Sequence, residues 1–327
     1  MQNIELGNSG LRAPQVGFGC SALLGRTGRT ESLRALAAAW DEGIRFFDIA
    51  RSYGYGEAEA LLGEFLQGRR GQAVIATKFG ILAAHQSGWK RVAKTVARKI
   101  LAAVPSARSM LQKGAASQFS HNQFTIPVLQ QSIEESLRKF RTDCVDMLFL
   151  HAAPASVLEQ DDLLEAMGKL VETGKVRVVG LSAEPDVVEL AMERCTQPLK
   201  AMQFPCNVFN ISGAAGFAQG SAGGYVWVAN QPYGGVAGVQ RCRQILRSLV
   251  ENESLDAVLC EKLGTLEGAA FADVVLNVIL RDSGIHVVVP AMMRVEHIRA
   301  NVQAVTKSRF NSCEIAQIRQ AIAPTTE

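Results

Sequence analysis

The sequence predicts an α/β fold, a single-domain (β/α)8 barrel of the TIM type, and three observations predict it. Eight short apolar runs, rich in β-branched and aromatic residues, alternate with segments of helical pattern along the chain. Such alternation argues for a parallel sheet covered by helices. No Pro-, Gly- or Ser-rich linker divides the 327 residues, and a barrel of ~250 residues with insertions fills that length. One domain, 1–327, is therefore expected.

The elements follow in order. Residues 4–6 and 11–13 flank a tight turn and read as an N-terminal β-hairpin that plugs the barrel bottom. Residues 16–19 are the first barrel strand. Residues 30–42 read as a helix, with Thr30 as N-cap and Gly43 just past its end. Strand two is 44–48, followed by a helix over 57–67 that Gly68 closes. Strand three is 74–78 and strand four 145–151, with a helix at 126–140 between them. A helix over 161–173 ended by Gly174, strand five at 176–182 and a helix over 185–194 with Pro185 in its first turn come next. Strands six, seven and eight are 201–204, 225–230 and 286–290. An open doubly wound sheet is the alternative, and it needs a G-x-G-x-x-G turn after its first strand. Gly17-Phe18-Gly19 begins that pattern, but Ala22 stands where the third glycine belongs and Gly25 is displaced.

Two stretches break the rhythm. The insertion 81–125 after strand three is far longer than an ordinary βα loop. It carries Lys90, Arg91, Lys94, Arg98, Lys99, Arg108 and Lys113, and Val92, Val96, Ile100 and Leu101 fall on one helical stripe. The expected structure is a solvated lid with an amphipathic basic helix, and its charge points to a polar or anionic substrate such as a sugar or an acid. The segment 206–224 is rich in Gly, Ala and Ser where a helix belongs. Glycine costs ~1 kcal/mol per residue in a helix relative to alanine, so a loop with a short helix at most is expected.

Composition narrows the function classes. Hydrophobic residues make up 48% and charged residues 20%, which excludes disordered and collagenous chains. A net charge of +3, evenly mixed, gives no reason to expect nucleic-acid or membrane-surface partners. No apolar run is long enough to span a bilayer, and the first residues show no secretory signal. The seven scattered cysteines contain no C-x-x-C pair and read as reduced thiols, so a cytoplasmic protein is expected, without a metal.

In a β/α barrel the chemistry sits at the C-terminal mouths of the strands. Strand two ends in Asp48, strand three in Lys78 and strand four in His151, while Tyr53 follows on the loop after Asp48. Singly, each has an ordinary structural reading: a capping Asp, a solvated Lys, a satisfied His, a packed Tyr. Together they place an acid, a base and an imidazole at one rim. A phenol pKa near ~10 is high for an acid at neutral pH; an adjacent ammonium favours phenolate and lowers it, and Asp48 holds that ammonium charged. A proton donor with polarising groups around a carbonyl suits hydride transfer from a nicotinamide.

These residues carry a family resemblance. Asp48-x-Ala50-x-x-Tyr53-Gly54, then Glu59-x-x-Leu62-Gly63, Thr77-Lys78 and Leu150-His151 resemble the aldo-keto reductases, and the likeness runs over nearly the whole chain. The resemblance implies an NAD(P)-dependent oxidoreductase that interconverts an aldehyde or ketone with an alcohol, with Tyr53 as general acid or base. Lys78 and Asp48 would tune it, and His151 would position the carbonyl. It also implies cofactor contacts at Gly19 and Cys20 at the end of strand one, at Asp48, and at Ser182 in Gly180-Leu181-Ser182-Ala183. Gln203 would read the carboxamide with Ser182. Asn230 takes the position of the residue stacked on the nicotinamide, followed by Pro232, with Tyr233 or Phe204 as possible substitutes. At the adenosine end the resemblance implies Asn301 at the adenine. The usual Lys, Ser and Arg of the 2′-phosphate site are replaced by Ala291, Met292 and His297, with Arg294 and Arg299 as substitute anchors. NADP(H) is expected over NAD(H), with a monomer or small homo-oligomer. The altered positions Ala183, Asn230, Ala291 and Met292 motivate one alternative, a non-catalytic or regulatory cofactor-binding protein on the same barrel. A metal-dependent hydrolase or isomerase is disfavoured, because no His-x-His or clustered acids occur at strand ends.

Overall fold

The structure is a computed structural model and describes residues 1–25, 27–83, 119–211, 224–252, 254–264 and 269–322. Its twelve described strands are β1 (Ile4–Glu5), β2 (Arg12–Ala13), β3 (Phe18–Gly19), β4 (Phe46–Asp48), β5 (Val74–Phe79), β6 (Leu82–Ala83), β7 (Phe119–Ser120), β8 (Val145–His151), β9 (Val176–Ser182), β10 (Ala201–Pro205), β11 (Val226–Asn230) and β12 (Val287–Val289). The helices are α1 (Arg29–Asp41), α2 (Ala58–Phe65), α3 (Ile126–Phe140), α4 (Asp161–Glu172), α5 (Pro185–Glu193), α6 (Gly235–Glu251), α7 (Ala257–Gly264), α8 (Ala269–Leu280), α9 (Val295–Thr306) and α10 (Ser312–Ile322). Among the described residues no helix is long and apolar enough to cross a membrane.

Eight strands form one parallel sheet in the order β12-β11-β10-β9-β8-β5-β4-β3. Its two edges meet: Gly17 N–H donates to Val288 O at 2.8 Å, Val288 N–H to Gln15 O at 2.8 Å and Gly19 N–H to Pro290 O at 3.0 Å. Gly19 is required there by close approach, since a Cβ would lie 2.9 Å from Val289 O. The ring is the expected (β/α)8 barrel. Side chains alternate across each strand, and the inner set comprises Phe46, Val74, Ala76, Met147, Phe149, Val178, Ala201, Val226, Val228, Val287 and Val289. The antiparallel β1–β2 hairpin adds Leu6, Leu11 and Ala13 to that inner cluster and so plugs the barrel as expected. Asn8 N–H donates to Gly224 O at 2.8 Å and Gly7 N–H to His286 Nε2 at 3.1 Å, which pins the plug to the strands above it.

The expected strands agree with those observed to within two residues, and three expectations need correction. Residues 16 and 17 fall outside β3, and Val16 makes only an isolated parallel bridge to Val288. Helix α1 starts at Arg29 and is capped by Gly28, with no side-chain cap, so Thr30 lies inside the first turn. Helices α6, α7, α8 and α10 were not foreseen. Residues 270–280 of α8 are all buried, and a helix buried on every face carries no amphipathic stripe to reveal it. The insertion 81–125 is closed at its stem by the antiparallel pair β6–β7, with Leu82 opposite Ser120 and Ala83 opposite Phe119. The expected basic helix with Val92, Val96, Ile100 and Leu101 lies outside the described residues, as do residues 212–223 of the Gly-rich segment.

Candidate active site

Period-2 alternation also explains the site. Phe46 faces inward, so Asp48 does too; Val74 and Ala76 are followed inward by Lys78, and Met147 and Phe149 by His151. The register places Lys78 opposite Phe149, His151 opposite Ser182 and Ser182 opposite Gln203. The uppermost inward positions of successive strands are therefore polar, above an apolar interior.

Lys78 is 2% exposed and donates from Nζ to Asp48 Oδ1 at 2.7 Å and to Ile49 O at 3.0 Å. The ammonium also lies beside Tyr53, with Nζ 5.2 Å from the ring centroid, and the two groups interact electrostatically. His151 meets the same ring edge-on, with centroids 5.9 Å apart and planes at 80°. The four residues expected to act together are thus brought together. A chain of hydrogen bonds extends the cluster: Ser182 Oγ donates to Gln203 Oε1 at 2.8 Å, and Gln203 Nε2 donates to Asp48 Oδ1 at 2.8 Å. Sequence reasoning placed Ser182 and Gln203 only as cofactor contacts and missed this second role. Gln203 opposite Ser182, with Asp48 across the barrel mouth, was the available signal.

Burial sets the protonation states. Desolvation would lower Lys78, but Asp48 and Tyr53 outweigh it, and the ammonium is held above its ordinary range. Desolvation raises the Tyr53 phenol and exceeds the opposing pull of Lys78. The expected lowering of the phenol pKa is therefore corrected: in the structure burial outweighs the ammonium, and Tyr53 carries its proton at neutral pH. Burial, with Lys78 adding to it, pushes His151 down to about 3, so the imidazole is neutral. Cys20, fully buried beside Asp48 and Lys78, is raised by burial and stays a thiol, donating to Phe18 O at 3.6 Å.

Two buried polar atoms in this region have no hydrogen-bond partner among the described residues, His151 Nδ1 and Asn230 Oδ1. Buried polar groups are almost always satisfied, so both atoms are available to hydrogen-bond a ligand. Asn230 Oδ1 is an acceptor and suits an amide N–H; the neutral His151 suits a carbonyl oxygen or an alcohol. The residues present therefore fit a nicotinamide cofactor and a carbonyl substrate.

The remaining predicted contacts are placed differently. Phe204 packs edge-on against Trp227 inside the core, and Tyr233 stacks on Phe271 at 6.1 Å, so neither ring is free beside Tyr53. Pro232 is buried beside it in the chain. Asn301, 3% exposed, accepts a hydrogen bond from Tyr233 and donates from Nδ2 to Met292 Sδ at 3.2 Å; Met292 is itself buried. Arg294, Arg299 and His297 are exposed at the start of α9. Arg299 pairs with Glu42 at 2.9 Å and Arg294 with Glu296 at 3.7 Å.

The model of the Aldo/keto reductase family matches residues 15–323. The aldo-keto reductase YhdN of Bacillus subtilis (strain 168) is 25% identical over 215 residues, which are 64% of this chain and 55% of that protein. The L-glyceraldehyde 3-phosphate reductase of Escherichia coli (strain K12) is 25% identical over 354 residues, covering 99% of this chain and 93% of that enzyme. The chain spans about half the length of the first of these two relatives. Among solved structures, the holo form of aldo-keto reductase AKR11C1 from Bacillus halodurans has a TM-score of 0.72 at 20% identity, covering 98% of this chain and 96% of that one, a likeness of fold.

Proposed function

The chain belongs to the aldo/keto reductase family, and from that premise we propose that it is a nicotinamide-dependent oxidoreductase that interconverts an aldehyde or ketone with an alcohol. The observation that carries the proposal is the buried Lys78–Asp48 pair against Tyr53, beside an imidazole with an unpartnered nitrogen. The bound cofactor supplies or accepts the hydride. Every other part of the reaction belongs to this chain. Tyr53 holds its proton at neutral pH and delivers it to the substrate oxygen as charge develops there. Lys78, kept protonated by Asp48, stabilises the phenolate that remains. His151, neutral, fixes the carbonyl oxygen within reach of the phenol. In the oxidation direction the same phenolate takes the alcohol proton.

Ser182, Gln203 and Asn230 would hold the carboxamide end of the cofactor, with Gly19 and Cys20 bordering it and Pro232 shaping the turn beyond Asn230. Arg294, His297 and Arg299 are the groups available for the adenosine end, and Met292 and Asn301 buttress it from inside. Exposed pairs such as Arg299–Glu42 are worth little, and a 2′-phosphate competes well for an arginine fork, which supports NADP(H) over NAD(H).

The proposal is tested by titrating the protein with NADPH and NADH while following quenching of tryptophan fluorescence, then offering aldehydes, keto acids and sugars. Binding of at least one form, tighter for NADPH, with oxidation of the reduced cofactor on addition of a carbonyl is the expected result. Binding without turnover of any substrate class would favour a regulatory cofactor-binding protein, and absence of binding by either form would contradict the proposal.

A further inference from the structure

The motif Glu59-x-x-Leu62-Gly63 takes no part in the chemistry above, yet Glu59 is a fully buried carboxylate. Its Oε1 accepts from Thr77 Oγ1 and from Ser136 Oγ, both at 2.8 Å, and its Oε2 faces Lys139 Nζ at 3.4 Å. Lys139 Nζ also donates to Gly56 O at 2.9 Å. Thr77 precedes Lys78 on β5 and faces outward where Lys78 faces inward. Gly56 ends the turn Tyr53–Gly56 that presents the phenol. On the other side of Tyr53, Arg51 pairs with Glu135, which stands one helical turn before Lys139 on α3. Helix α3 therefore grips the turn on both sides of Tyr53, and through Glu59 it also grips the strand of Lys78.

This grip requires α2 and α3 to lie unusually close. A Cβ at Gly63 would sit 2.1 Å from Lys139 O and 2.7 Å from Phe140 Cα. The turn it steadies is conformationally costly. Gly54 and Tyr55 both lie in the left-handed region, at φ 57° and 58°, and a bulky residue there persists only when its surroundings over-determine it.

We propose that Glu59 and Lys139 form a positioning pair that holds the Tyr53 turn against the Lys78 strand, so that the Lys78 ammonium stays beside the Tyr53 ring. This rests on Tyr53 acting as the acid. Neither residue belongs to the group that touches the reacting atoms. The charged and titratable groups that face Tyr53 are Lys78, Asp48 and Cys20, with His151 against its ring; Glu59 and Lys139 act by holding the first of these in place.

The test uses the full chain with Lys139→Met, Lys139→Arg and Ser136→Ala, because removal of Glu59 itself could prevent folding. Each variant is examined for kcat, for the dissociation constant of the cofactor, and for titration of the Tyr53 ring carbon by 13C NMR, assigned with Tyr53→Phe. Loss of Lys139 should lower kcat by about 10-fold or more, the scale of a sub-ångström to ångström misplacement. Cofactor affinity should be unchanged and Tyr53 should titrate at higher pH, as its ammonium contact loosens. Lys139→Arg should restore both readings, and Ser136→Ala should fall between. A Lys139→Met protein that is merely less stable, with the parent's kcat per folded molecule and the parent's Tyr53 titration, would overturn the proposal. If the parent chain itself turns over no carbonyl, the functional reading fails instead, and the Tyr53 titration still decides the positioning role.

Discussion

Tyr53 differs from a free phenol in two opposing ways: burial strengthens its hold on the proton, and Lys78 weakens it. The balance leaves the proton on, which suits reduction and has a consequence for pH. In the proposed reaction carbonyl reduction uses the phenol, so its rate should be flat across neutral pH and fall only in the alkaline range. The proposed alcohol oxidation uses the phenolate and should rise with pH through the same range. Paired pH–rate profiles check this. His151 adds no acid limb near the ordinary imidazole value, because its pKa lies at about 3. The same burial has a stability cost. His151 and His286 both resist protonation when folded, whereas the unfolded chain takes up those protons near ~6.5. Stability is therefore full above that value and is lost as pH falls below it. The thermal midpoint should drop between about pH 7 and about pH 5, and His286→Asn should flatten the drop. Lys78→Met should abolish turnover and destabilise by about 3–5 kcal/mol, the cost of leaving a buried charge unpaired. The Gln203 bond to Asp48 places the effect toward the lower end. Urea unfolding measures it.

At the scale of elements, the strands were legible and some helices were not. A buried parallel strand is a short run of Val, Ile and Phe whose polar end residue stands out, which is how Asp48, Lys78 and His151 were found. Helix α8 is buried on all sides and lacks the periodic signal, and α1 begins a residue before the threonine that resembles a cap. The α2–α3 crossing was legible only as a motif, because the need for Gly63 arises from a backbone distant in sequence. Gly63→Ala should force these helices apart and cost about 1–3 kcal/mol as overpacking. It should also lower kcat, since the same crossing carries Glu59 and Lys139; a comparison of unfolding midpoint and kcat reads both.

At the scale of the molecule, the barrel is an apolar interior sealed below by the β1–β2 hairpin and lined above by polar strand ends. The family, and the meeting of Asp48, Tyr53, Lys78 and His151 at one rim, were readable because barrel topology brings strand ends together whatever lies between them. The contacts made by Gln203 and Asn301 were not readable. Whether Asn301 is free or bonded to Tyr233, and whether Gln203 serves Asp48 or a ligand, depends on contacts between residues tens to hundreds of positions apart. The most direct test of the proton-relay reading is a single-turnover comparison of the parent chain with Tyr53→Phe. Both are preloaded with the reduced cofactor that binds and mixed with a carbonyl the parent reduces. If Tyr53 is the acid, both proteins bind cofactor with the same affinity and only the parent consumes it. Equal turnover by Tyr53→Phe would contradict the role assigned to the phenol and, with it, the relay through Lys78 and Asp48.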